Sequence, residues 1–224
     1  MRICIVGGIF DKPEPYRGQH SISPETVLAD GLRQRGWEVE VRGHSEPLPL
    51  EGIDLVHVHH FGRAALRLAA KARRPPFVLT THDPFSMNGL PVGWKRRLTD
   101  SYVLRHADSL VALSYAEREF LTGRQRLSAG RVAVIPNGIS TEVFDRIPQL
   151  PEPDNSLLFV GQLQDFKGLD YLLAALPEVH QCHPGVKLRI VYQTDALLDR
   201  YQAQAARLGL NGSLEFAGSR TSAS

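Results

Sequence analysis

Short apolar runs and helical stripes alternate along the chain. Ile3-Cys4-Ile5-Val6 is a continuous apolar run ending at Gly7-Gly8, which predicts a buried strand over 2–6. A polar loop rich in Pro and Gly follows over 9–22. Ser23-Pro24-Glu25 then opens a helix, with Ser as cap, Pro at the first helical position and an acid in the first turn. Val27, Leu28 and Leu32 form its inward stripe and Gly36 stops it. Strands are predicted over 38–42, 54–59, 77–81, 109–113 and 131–135, and helices over 62–73 and 93–106. A further helix starts at Ser114, and Glu117 three positions on completes the pattern of a capping box. Trp94, Leu98 and Tyr102 recur at helical spacing and read as a core stripe.

Strands that alternate with helices imply parallel β-α-β units and a doubly wound α/β domain over 1–147. Pro148, Pro151 and Pro153 mark 148–156 as a linker. A second α/β unit, 157–224, begins with Leu157-Leu158-Phe159-Val160, which reads as a strand buried on both faces. Gly161, a polar loop and Lys167-Gly168 lead into a helix over 167–183, with Leu169, Leu172, Leu173 and Leu176 on one face and Pro177 inside it. A strand over 186–192, a helix over 195–208 and a strand over 213–217 complete the unit, ahead of a polar tail over 219–224. Three strands and two helices make half of a doubly wound sheet, so Leu188, Ile190 and Val191 are expected to need a cover that the rest of the chain only partly provides. A lysine at the mouth of a helix adds a full charge where backbone N–H groups already favour an anion. It reads either as a phosphate ligand or as an ordinary solvated lysine.

Composition narrows the partners. The 224 residues carry a net charge of +2, which leaves nucleic acid an unforced partner, and Lys95-Arg96-Arg97 reads as a solvated helix face. Cys4 and Cys182 lie far apart in sequence, and Cys4 sits within an apolar run, a pattern that fits a reducing compartment. Neither a leader nor an apolar run of about 18 residues is visible, so a cytoplasmic location is expected. His57 and His59 share one strand face beside His60 with no carboxylate or thiol at ligand spacing, which favours hydrogen-bonded histidines over a metal site.

Several segments, taken in order, resemble the retaining glycosyltransferases of family 4, which have the GT-B architecture. They are Asp54-Leu-Val-His57-Val-His59, Leu79-Thr80-Thr81-His82-Asp83, Ala107-Asp108-Ser-Leu-Val-Ala-Leu-Ser114 and Val134-Ile135-Pro136-Asn137-Gly138-Ile139. Phe144, Phe159-Val160-Gly161-Gln162-Leu163 and Lys167-Gly168 continue the series. The resemblance implies transfer of a hexose-type sugar from a nucleotide-sugar donor to a glycan, lipid-linked or small-molecule acceptor, with retention of configuration and with neither metal nor cofactor. It implies an acceptor-side first domain and a donor-binding second one. Lys167 matches the family's phosphate lysine, with Gly161 and Gln162 beside it. His82 matches its cleft histidine as the catalytic-site contact to the sugar, and Gly18, Gln19 and His20 match its sugar and acceptor loop.

This sequence departs from the family pattern at four places. Gln162 stands where the family has Arg, which removes one cation from the diphosphate clamp. Gly18-Gln19 replaces a glycine pair, and Gln193-Thr194-Asp195 replaces a Gly-x-Gly. The family's paired glutamates for the donor would lie past Ser224. The chain by itself is therefore expected to turn over little or nothing. The alternative is a non-catalytic domain that binds a sugar or a partner, with contact at a membrane periphery or with a protein covering the second unit.

Overall fold

The computed structural model describes residues 1–19, 23–48, 50–82, 92–138 and 155–218, with the side chains of residues 15, 18 and 19 left aside. The chain divides into two compact units, Met1–Ile147 and Pro148–Ser224.

The first unit holds a parallel sheet of six strands: β1 (Arg2–Val6), β2 (Glu38–Arg42), β3 (Leu55–His59), β4 (Phe77–Thr80), β5 (Ser109–Ala112) and β6 (Val132–Val134). Their order is β2-β1-β3-β4-β5-β6. The winding reverses at β1, so the connecting helices fall on opposite faces. Helix α1 (Glu14–Gln19) and helix α2 (Pro24–Gln34) precede β2. Ala29, Leu28 and Leu32 of α2 pack on Ile3, Ile5, Val39 and Val41. Helices α3 (Arg63–Ala69), α4 (Trp94–His106) and α5 (Tyr115–Glu119) follow β3, β4 and β5. Ala64, Leu68, Val103 and Leu104 from these crossovers meet Cys4, Val56, Phe77 and Leu110 on the other face.

The local signals behave as physical chemistry dictates. Ser23 caps α2, its hydroxyl accepting from the Thr26 N–H at 3.2 Å while the Thr26 hydroxyl accepts from the Ser23 N–H at 3.0 Å. Ser23→Ala removes that cap and is expected to lower stability by about 1 kcal/mol, read as a shift in the urea midpoint with unchanged slope. Residues 9–19, within the segment read as a loop, are less loop-like than their Pro and Gly content suggests. Pro15 lies in the first turn of α1, where its missing N–H costs nothing.

Two expectations fail on α4 and α5. Trp94 and Leu98 are 68% and 62% exposed and Tyr102 is exposed beside them, so this stripe is not core. The core side of α4 is Val103 and Leu104 instead. Ser114 does cap α5, but Glu117 does not return to the Ser114 N–H as a capping box would. Its carboxylate accepts from the Leu113 N–H at 2.6 Å and from the Thr81 hydroxyl, and the side chain is fully buried.

The second unit is a parallel three-stranded sheet in the order β7-β8-β9, from β7 (Ser156–Val160), β8 (Lys187–Val191) and β9 (Leu214–Gly218). Helices α6 (Leu169–Cys182) and α7 (Leu198–Arg207) connect them. With no reversal of winding, both helices cover one face. Leu169, Leu173 and Leu176 of α6 and Tyr201 of α7 pack on Leu188 and Ile190. Leu188 and Ile190 thus have their cover within this chain. β7 is an edge strand, and on its other face Leu158 and Val160 are 66% and 70% exposed. A strand buried on both faces was expected there. The apolar run is real, but only Phe159 points under the helices.

Candidate functional site

In an open parallel sheet, ligands bind beyond the carboxyl ends of the strands where the winding reverses. Here that point lies between β1 and β3. Gly7 ends β1, and a Cβ on it would stand 2.6 Å from the Glu25 Cγ, so glycine lets the first turn of α2 approach the sheet. The ends of β3 and β4 carry four histidines. His59 pairs in register with Thr80, which places His82 just past the end of β4 beside His59 and His60. His60 and His82 both have left-handed backbones, with φ of 67° and 46°. For non-glycine residues such angles cost energy and are held only by their surroundings.

The rings form a continuous stack. His57 and His59 lie 4.6 Å apart between centroids, His59 and His82 5.1 Å, and His60 and His82 4.1 Å. The His59 Nδ1 and the His82 Nε2 share a hydrogen bond of 2.8 Å, and the His57 Nε2 bonds the Thr80 hydroxyl at 2.7 Å. The other nitrogen of His59 is buried without a partner among the described residues. Burial drives all four rings toward the neutral form. The His57 pKa falls to about 4, that of His82 to about 3 with help from His60 and His57, and that of His59 to about 2. The His60 value is lowered too, although the Glu25 carboxylate at 3.9 Å opposes the change. Neutral imidazoles offer donors and acceptors to hydroxyl groups but no positive charge.

A cleft of about 480 Å³ opens on the α2 side of the sheet. His57, His59 and Thr80 contribute to it together with Leu28, Ile135 and Asn137. Asn137 and Gly138, which enter the sequence reading only as part of the family pattern, both line this cleft. His82, read as the sugar-contacting residue, stands in the histidine stack. Gly18 and Gln19 fall at the end of α1, and His20 lies outside the described residues.

The residues assigned to the donor diphosphate lie in the second unit. The Gly161 N–H donates to the Val191 carbonyl at 3.1 Å, extending the strand pairing past β7. The Gln162 side-chain oxygen accepts from the Gln164 amide at 2.8 Å. Residues Asp165–Lys167 form one 3-10 turn, and Gly168, left-handed at φ 75°, redirects the chain into α6. No side chain caps the N-terminus of α6. Lys167 is exposed, its ammonium 5.2 Å from the Phe166 ring, with no carboxylate partner among the described residues. Asp165 is instead paired with Arg200.

Comparison with known proteins assigns the class. The family description "Glycosyltransferase Family 4" matches residues 44–143, and "Glycosyl transferases group 1" matches 140–223. A glycosyltransferase solved from Rickettsia africae superposes with a TM-score of 0.60 at 17% identity, over 98% of this chain and 68% of that one. Two α/β units of this kind are those of the GT-B fold. At the level of sequence, a D-inositol 3-phosphate glycosyltransferase of Acidothermus cellulolyticus is 26% identical over 97% of this chain and 51% of its own. A glycogen synthase of Mycobacterium tuberculosis is 30% identical over 66% of this chain and 38% of its own. The chain belongs to glycosyltransferase family 4, and it spans about half the length of the first of these curated relatives.

Proposed function

We propose that this chain serves the transfer of a sugar from a nucleotide-diphosphate sugar to an acceptor, with retention of configuration and without a metal. The family match across both units carries the reading, together with a lysine at the start of α6 that has no carboxylate partner among the described residues. In such a transfer, negative charge grows on the departing diphosphate, and fixed positive charge there lowers the barrier. Lys167 supplies that charge, helped by the α6 dipole, with Gly161 and Gln162 beside it. The neutral His82 and its stack suit the hydroxyl groups of the sugar. The loop of Gly18, Gln19 and His20 belongs to the sugar and acceptor side.

Gln162 favours a second reading. Its amide is uncharged, so one expected cation is missing; its oxygen accepts from the Gln164 side chain, which leaves the neutral NH2 group as the donor it would offer a phosphate. A donor-binding domain with little turnover of its own is consistent with that chemistry.

Thermal shift with nucleoside diphosphates and nucleotide sugars tests both readings. A ligand held by Lys167 should raise the melting temperature of the wild-type chain, and Lys167→Ala should weaken its binding at least about tenfold. Tight binding that survives Lys167→Ala would remove this residue from the site. Sugar transfer measured with the 224-residue chain alone would eliminate the second reading.

A further inference from the structure

Helix α4 has apolar residues on two sides. Val103 and Leu104 enter the core, while Trp94, Leu98 and Tyr102 recur every fourth residue on the outward face. Leu66 of α3, also exposed, continues that strip by sharing a groove of about 430 Å³ with Leu98 and Tyr102. A second groove, of about 660 Å³, runs along the other flank between Trp94, Leu98 and Phe120. Cations accompany the strip: Arg97 and Arg124 line the second groove and Arg105 the first, the Lys95 ammonium lies 5.7 Å from the Trp94 ring, and in α3 Arg63 precedes Leu66 by three residues and Arg67 follows it. Among the described residues no carboxylate pairs with any of these six. Asp100 is the acid lining the second groove, and Arg96 holds it at 2.7 Å.

We propose that this outward face of α4, continued by Leu66, is a docking surface for an anionic lipid bilayer. Tryptophan and tyrosine favour the depth of lipid headgroups, leucine the acyl boundary just beneath, and flanking Lys and Arg the headgroup phosphates. Six cations against one acid, Asp100, which Arg96 already pairs, leave the surroundings of this apolar centre net positive, which complements an anionic membrane. The 13-residue helix is about 20 Å long and lies on the surface. No helix among the described residues is long and apolar enough to cross a membrane. The inference is independent of the sugar-transfer reading, because it involves neither Lys167 nor the histidines.

Sedimentation of the purified 224-residue chain with vesicles tests it, using phosphatidylcholine alone and an equal mixture with phosphatidylglycerol. The chain should pellet with the anionic vesicles, less so as salt is raised. The Lys95→Glu/Arg97→Glu variant should bind at least about 25-fold more weakly, at about fivefold for each cation lost. Trp94→Ala/Leu98→Ser should weaken binding about tenfold through lost apolar contact. Because these side chains are exposed, both variants should keep the wild-type circular dichroism. Lys187→Glu/Arg207→Glu, with the same net charge change on the second unit, should bind like wild type. In a Trp37→Phe background, Trp94 fluorescence should shift to the blue on vesicle addition. Failure to pellet with anionic vesicles at low salt overturns the proposal, as does equal loss in the second-unit variant. Self-association that Trp94→Ala abolishes, without vesicle binding, would assign the face to a second copy and also overturn it.

Discussion

Glu117→Ala is expected to destabilise the first unit by about 2–4 kcal/mol, through one donor deprived of its acceptor, a second left with a long bond, and a cavity. The Glu117 carboxylate is fully buried and accepts from the Thr81 hydroxyl and from the Leu113 N–H at 2.6 Å. Truncation leaves the Leu113 N–H without this acceptor and the Thr81 hydroxyl with only the Val111 carbonyl at 3.5 Å. Glu117→Gln keeps one acceptor oxygen and should lose much less. The effect extends to the candidate site because Thr81 directly precedes His82, whose left-handed backbone depends on its surroundings. Urea denaturation measures the loss. Equal stability of the Ala and Gln variants would mean that the carboxylate does not pin the two strand ends together.

Acidification should weaken the same unit before any ligand is involved. His57, His59 and His82 stay neutral in the folded chain down to about pH 4, 2 and 3, while unfolded histidines take up protons near pH 6.5. Below pH 6.5 the unfolded state therefore binds more protons. The stability is fully present above that pH and falls as the pH drops toward the folded-state values. For the buried ring of His59 the loss at pH 5 is about 2 kcal/mol, with smaller additions from the half-buried His57 and His82. The melting temperature should fall by roughly 5–10 °C between pH 7.5 and pH 5. His59→Gln should flatten that slope. A melting temperature that stays constant over this range would show that the rings are charged or solvated in the folded chain.

Much of the fold was legible because its signals are local. Ser23-Pro24 marks a helix start through the hydroxyl and the missing N–H of two adjacent residues, and Ile3 to Val6 reads as a buried strand from four consecutive side chains. The misreadings required knowledge of distant neighbours. Four apolar residues in β7 look alike on an edge or in the centre of a sheet, and only the order β7-β8-β9 decides which. Trp94, Leu98 and Tyr102 have the spacing of a core stripe, but Val103 and Leu104 already fill that side of α4. The sequence pattern singled out His82 and Lys167, yet not the contact between His59 and His82. That contact joins residues 23 apart through the register of two parallel strands. Glu117 sits at capping-box spacing, and local rules could not foresee that Thr81 would arrive from the neighbouring strand to claim its carboxylate.

Leu158 and Val160 keep oily side chains on the bare side of β7, where they contribute nothing to the core beneath α6. Random substitution at these two sites meets no resistance from the folding of this chain. Comparison of homologues at these two positions would therefore record whether that side has a tenant.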